Sequence, residues 1–172
     1  EQVRALTTSS LAALSSEQFS QFDSSQLAAL STLQAKALTV DELGTLDSAE
    51  ITNLSASHIA VLTSAQLNAL TSEAIGGLTN DQIQAISTGA VKGLDDDRIA
   101  GLTSTQMSAL TTAQARVLTS TQLSVMTSDH LPNLSVSAVA ALTSAQFTGV
   151  TDSAVISAMT ADQIKALNTS VI

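Results

Sequence analysis

Three side-chain groupings in this chain have residue types that do chemistry in other proteins. Asp95-Asp96-Asp97 is the densest run of carboxylates, and oxygen ligands of that kind suit a calcium ion. The same residues fall on the cap and first two helical positions of a sequence unit, where acids complement the helix dipole; Arg98 follows and can pair locally. His58 and His130 are the two imidazoles. Their place in the repeat described next gives each the slot of a capping partner, nine units apart, which competes with ligation or acid–base work. Ser, His and Asp are all present, but no departure from the repeat brings them together as a triad, and capping accounts for the Ser and Thr. The sequence thus assigns no catalytic residue, no cofactor and no metal beyond the calcium candidate Asp95, Asp96 and Asp97, and it predicts a protein that is not an enzyme.

The elements that would hold such residues are unusually uniform. From Leu6 an apolar residue recurs every eighth position: Leu14, Phe22, Leu30, Leu38, Leu46 and so on to Val150; the series resumes after one extra residue at Met159 and Leu167. A second apolar series runs five positions further on, as in Leu11, Phe19, Leu27, Leu43, Ile51, Ile59, Leu67 and Phe147, weakened only by Ala35 and Ala115. The residue after each member of the first series is a helix N-cap former, from Thr7, Ser15 and Asp23 through Thr151 and Thr160 to Asn168. Three positions later most units have Gln or Glu, among them Gln18, Gln34, Glu42, Gln66, Gln114 and Gln163. Cap and Gln make a capping box, and the two apolar residues flanking the cap make a hydrophobic staple, as in Leu62-Thr63-Ser64-Ala65-Gln66-Leu67.

An octad rotates a continuous helix about 80° past two full turns, so one long helix would smear its apolar stripe around the axis. Apolar spacings of five and three are odd, and on a strand they would alternate faces; Ala, Leu and Gln also favour helix. The predicted fold is an all-α solenoid of about 21 eight-residue repeats, each a short capped helix of one to one-and-a-half turns. A β-solenoid is the alternative. Two buried aliphatic side chains cannot offset the ordering of a whole unit, so units must stack and share their apolar surfaces. The seventh position of the unit is usually small (Ala13, Ala69, Gly77, Gly93, Ala141), which would let neighbouring coils approach closely; the second, third and sixth should face water. Handedness and units per coil are not readable from this pattern.

The whole chain, 1–172, reads as a single array without a linker, irregular near Pro132, which removes a backbone donor, and near 155–157, where the extra residue falls. Glycines gather between Gly76 and Gly101, marking either tight coil contacts or a softer segment. The chain begins inside the pattern at Glu1, which suggests a fragment of a longer protein. With 6 Lys and Arg against 15 Asp and Glu, the net charge of −9 opposes nucleic acid and anionic membrane. No apolar run approaches a membrane span, and without Cys there is no disulfide or thiolate metal site.

Units such as Leu62–Leu70 and Leu102–Leu110 read L-T-x-x-Q-x-x-A-L, and Leu142–Phe147 matches its first six positions. This resembles the tandem tracts of very large secreted or surface proteins of Gram-negative bacteria, described as adhesin-like or haem-utilisation-like. The resemblance implies a structural repeat or spacer region at the cell surface or outside the cell, with an unknown protein or surface partner and scope for self-association. The alternative is a solenoid whose face binds a protein or glycan. The L-T-x-x-Q string also resembles the Spy/CpxP periplasmic chaperone motif, but that family has it only twice, at the starts of long charge-rich helices, and the likeness is one of capping physics.

Overall fold

Local capping dictates the element. In the unit that begins at Thr63, the cap is extended at φ −80°, ψ 165°, its hydroxyl accepts the Gln66 N–H, and Gln66 accepts the Thr63 N–H in return. The helix then runs Ser64–Ala69, and Leu70 leaves it at φ −60°, ψ 143°. Thr71 follows, extended again, and caps the next helix, Ser72–Gly77. Two successive extended residues therefore turn this corner, and among the described residues there is no positive φ or cis peptide.

The computed structural model describes residues 2–167. These residues form nineteen α-helices of four to six residues and two 3-10 turns, Ile51–Asn53 and Leu131–Asn133, with no strand. The all-α solenoid expected from the sequence is the observed fold, and the β alternative is discarded.

Each helix lies on the one three units before it. Ala56–Ala60 packs on Thr32–Ala37, Asn80–Ala85 on Ala56–Ala60, and Ser104–Ala109 on Asn80–Ala85, so starts recur every 24 residues and a coil holds three octads. The solenoid thus has three columns of helices. The first contains the units capped by Ser31, Ser55, Thr79, Thr103 and Thr127; the second those of Thr39, Thr63, Ser87, Thr111 and Ser135; the third those of Asp47, Thr71, Asp95, Thr119 and Thr143. Both apolar series point inward from all three columns into one continuous core; Leu62, Leu67, Leu70, Ile75, Leu78 and Ile83 are all essentially inaccessible to water. Each unit borrows cover from the coils above and below, which is how elements too short to fold alone become stable.

The irregularities are local. Around Pro132 the helix is replaced by the 3-10 turn Leu131–Asn133, as a missing donor requires. A second 3-10 turn, Ile51–Asn53, arises without proline, where Asp47 Oδ1 takes the N–H groups of both Ala49 and Glu50. The extra residue is absorbed at a corner: Thr151 is not a cap, and Asp152 caps Ser153–Ala158 by accepting from Ala154, while Val155 keeps its place in the core. Asn168, the last expected cap, lies outside the described residues. The glycines divide. A Cβ on Gly77 would stand 2.5 Å from the Ser48 carbonyl oxygen of the coil below, one on Gly93 would strike Ser64, and one on Gly149 would overlap the Ser120 carbonyl, whereas Gly76 and Gly89 face open space. Small seventh residues thus seat one coil on the next.

Candidate functional site: the corner ladder

The N3 glutamine does more than close its capping box. Its Oε1 accepts the cap N–H of its own unit, and its Nε2 crosses to the previous coil and donates to the carbonyls that end a helix there. Gln82 accepts from Thr79 N at 2.8 Å and donates to Ile51 O at 2.7 Å and Leu54 O at 2.6 Å. Gln34, Gln106, Gln114, Gln122 and Gln146 repeat the arrangement on carbonyls 28 and 31 positions earlier. Gln163 reaches Leu134 at an offset of 29, the surplus residue counted in. These amides are buried. Each fills orphan donors at one helix start and orphan acceptors at one helix end, with both ends of a single side chain.

Where Gln is absent, the replacements show what the slot demands. His58 and His130 occupy it in the first column, three coils apart. The Ser55 N–H donates to His58 Nδ1, and the Thr127 N–H to His130 Nδ1, both at 3.2 Å. His130 Nε2 lies 2.9 Å from the Leu102 carbonyl; the backbone of Leu30, at the same offset of 28 from His58, favours the charged form of that ring. Both imidazoles are therefore capping partners, as their spacing suggested. Burial pushes the His58 pKa down, with the Leu30 hydrogen bond opposing it. With them the first column has an unbroken run of rungs: Gln34, His58, Gln82, Gln106 and His130. The second column alternates, since Ala90 and Ala138 have no side chain to span the gap.

In the unit of Asp95 the task is split between two residues. Asp95 makes no side-chain cap bond. Its N–H donates instead to Asn68 Oδ1 of the coil below, and Arg98 donates through Nε and Nη2 to the Asn68 carbonyl and through Nη1 to Ser72. Arg98 thus binds down the solenoid rather than pairing with its neighbouring aspartates. Asp95 and Asp97 are exposed and Asp96 half-buried, and among the described residues no three His or acidic side chains converge as a metal group.

Glu42 closes its capping box but makes no bridge. Its Oε2 accepts from Thr39 N and Oγ1, but Oε1 is buried without a partner, where a glutamine would present its NH₂. By the ladder's offsets, that slot faces the carbonyls of Leu11 and Leu14. The sequence showed the box; the second half of the glutamine's role could be suspected only from the preference for Gln over Glu.

The profile of the ALTTAQ repeat matches residues 1–32, 43–80 and 75–112, more than half of the chain. The chain belongs to the ALTTAQ-repeat family. The six letters stand unaltered at Ala109–Gln114 and spell the physics: small coil-contact residue, staple leucine, cap, two exposed positions and the bridging glutamine. Beyond the matched segments the ladder goes on through Gln122, Gln146 and Gln163. No curated protein matches the chain.

The outer surface of the ALTTAQ array is less uniform than its core. Seven acidic residues sit on the third column: Asp23, Asp47, Glu50, Glu73, Asp95, Asp96 and Asp97. Lys92 and Arg116 stack on adjacent coils of the second column and, with Val117, Thr119, Thr143 and Gln146, line a groove of about 350 Å³. Among the described residues no helix is long and apolar enough to cross a membrane.

Proposed function

We propose that this chain is a spacer region of a bacterial cell-surface or secreted adhesin-like protein, without catalytic activity. The supporting observation is that successive coils stack every 24 residues on one continuous apolar core, with side-chain rungs bridging many of the corners, so length is added in equal steps and no coil is set apart as a reaction centre. The surface setting rests on the resemblance of the L-T-x-x-Q-x-x-A-L units to such tracts. Small-angle scattering on this chain and on versions with residues 79–102 duplicated once and twice tests the spacer role: the maximum dimension should grow by a constant increment per duplication at constant cross-section. A near-spherical particle whose dimension grew as the cube root of mass would sink it. Antibody labelling of intact cells expressing the natural protein tests location, and staining only after permeabilisation would overturn that part.

A second reading is a face that binds a protein or an anionic glycan, favoured by the paired cations Lys92 and Arg116 beside their groove. It predicts retention on a sulfated-glycan column that disappears in Lys92→Ala/Arg116→Ala. Equal elution of both forms removes this reading and leaves the spacer in place.

A further inference from the structure

The first column has the longest run of rung side chains, in five successive coils from Gln34 to His130, and two of those five are imidazoles. We propose that His58 and His130 are acid-sensitive joints, at which mild acid releases the hydrogen bonds that tie one coil of the solenoid to the next.

The chemistry follows from the partners of the rings. In both, a backbone N–H points at Nδ1, so that nitrogen must be bare; at His130 a carbonyl oxygen also faces Nε2, so that nitrogen must hold the hydrogen. Only the neutral Nε2–H tautomer serves both partners. A proton arriving on Nδ1 sets N–H against N–H, orphans the cap amide of Ser55 or Thr127, and places a cation beside the positive end of the unit's first turn. The ring must then swing away or the corner open. Glutamine in the same slot has no such state, because its acceptor is an amide oxygen.

The surroundings do not offset this charge. Beneath His58 lies Thr32–Ala37 with Lys36, and above it Asn80–Ala85 with Asp81. Beneath His130 lies Ser104–Ala109, which has no titratable side chain, and above it Ser153–Ala158 with its cap Asp152; Asp129 sits on the histidine's own turn, and Asp96, Asp97 and Arg98 belong to the helix that ends near Leu102. Among the described residues the ion pair within bridging distance is Lys165–Asp162, so no carboxylate meets either imidazole.

For His58 the sign is fixed. Its folded pKa lies below the ordinary 6.5, so the unfolded chain binds more protons on acidification. Its contribution to stability is whole above about pH 6.5 and is lost as pH falls towards the folded value. Asp23, held below its ordinary 3.8 by the Ser25 hydroxyl and the Gln26 N–H, titrates well under that window.

The test is thermal unfolding of the full chain from pH 7.5 to 5.0, beside His58→Gln/His130→Gln, whose substitutions restore the repeat's own residue. The wild-type Tm should fall by several degrees across the window, and the double variant should stay flat. Equal slopes in the two proteins would overturn the proposal. A direct readout is ¹⁵N NMR of the imidazoles at pH 7.5: both rings should show the Nε2–H tautomer, and an Nδ1–H tautomer in either would remove that joint whatever the melting curves show.

Discussion

At the scale of the residue, the ladder separates two side chains that composition tables treat as near equivalents. Glutamine and glutamate both close a capping box, because both offer an oxygen to the cap N–H. Only glutamine has hydrogens for the carbonyls of the coil below. Glu42, fully buried with Oε1 unpartnered, therefore pays a desolvation cost that its glutamine neighbours avoid. Glu42→Gln should stabilise the chain by about 1–2 kcal/mol at neutral pH, read as a higher urea midpoint at unchanged slope. The reverse change, Gln114→Glu, should lower the midpoint, since its Nε2 now donates to Ile83, Gln84 and Ile86. A lower midpoint for Glu42→Gln would mean that the buried oxygen has found a donor and that the slot does not demand an NH₂. Asn68 and Arg98 make the same point from the other side: acceptor and donor can sit on different residues, provided that both ends of the corner are served.

At the scale of the element, a helix of four to six residues has almost no stability of its own, because the nucleus is barely formed before the chain turns. What holds it is its cap and its share of the common core. Leu70 is both the last staple residue of one unit and the first contact of the next, and it is fully buried. Leu70→Asp places a carboxylate among Leu, Ile and Ala side chains and should cost upwards of about 4 kcal/mol, enough to unzip the neighbouring coils. Far-ultraviolet circular dichroism at 25 °C should lose a sizeable part of the helical signal; a spectrum and melting point equal to those of the parent would refute a core shared between coils. The two 3-10 turns show how little an element needs to stay in line: Ile51 and Leu131 remain inaccessible although the α-hydrogen bonding around them is altered.

At the scale of the whole molecule, the octad is the unit of sequence but the coil is the unit of structure. Coil–coil contacts, the ladder and the glycine seats all connect residues about three octads apart, so stability should depend on how many coils remain in step. Deleting residues 103–126 removes one full coil and leaves every cap above a cap. Deleting only 103–114 removes half as many residues but puts Ala115 directly after Leu102, where a cap belongs. The smaller deletion should therefore be the more damaging, with a lower Tm and a broader transition by calorimetry. If the 12-residue deletion melted above the 24-residue one, stacking in coils of three would not govern stability.

The local half of this architecture was legible in the residues themselves. The extended cap, the box, the staple and the exclusion of both a long helix and a strand follow from contacts that span a few consecutive positions, and a sequence displays such contacts directly. Pro132 announced its own disturbance because a missing N–H is a property of one residue. Only tertiary structure decided the rest. Three units per coil is set by how corner angles add up around a closed core, which no single unit specifies. The bridging role of glutamine depends on carbonyls 28 and 31 residues away, the cap at Asp152 on where a surplus residue is cheapest to hide, and the defect at Glu42 on which carbonyls lie beneath it. Each is a long-range partnership, and a repeating sequence, in which every octad looks like every other, gives no sign of which octad will be the neighbour.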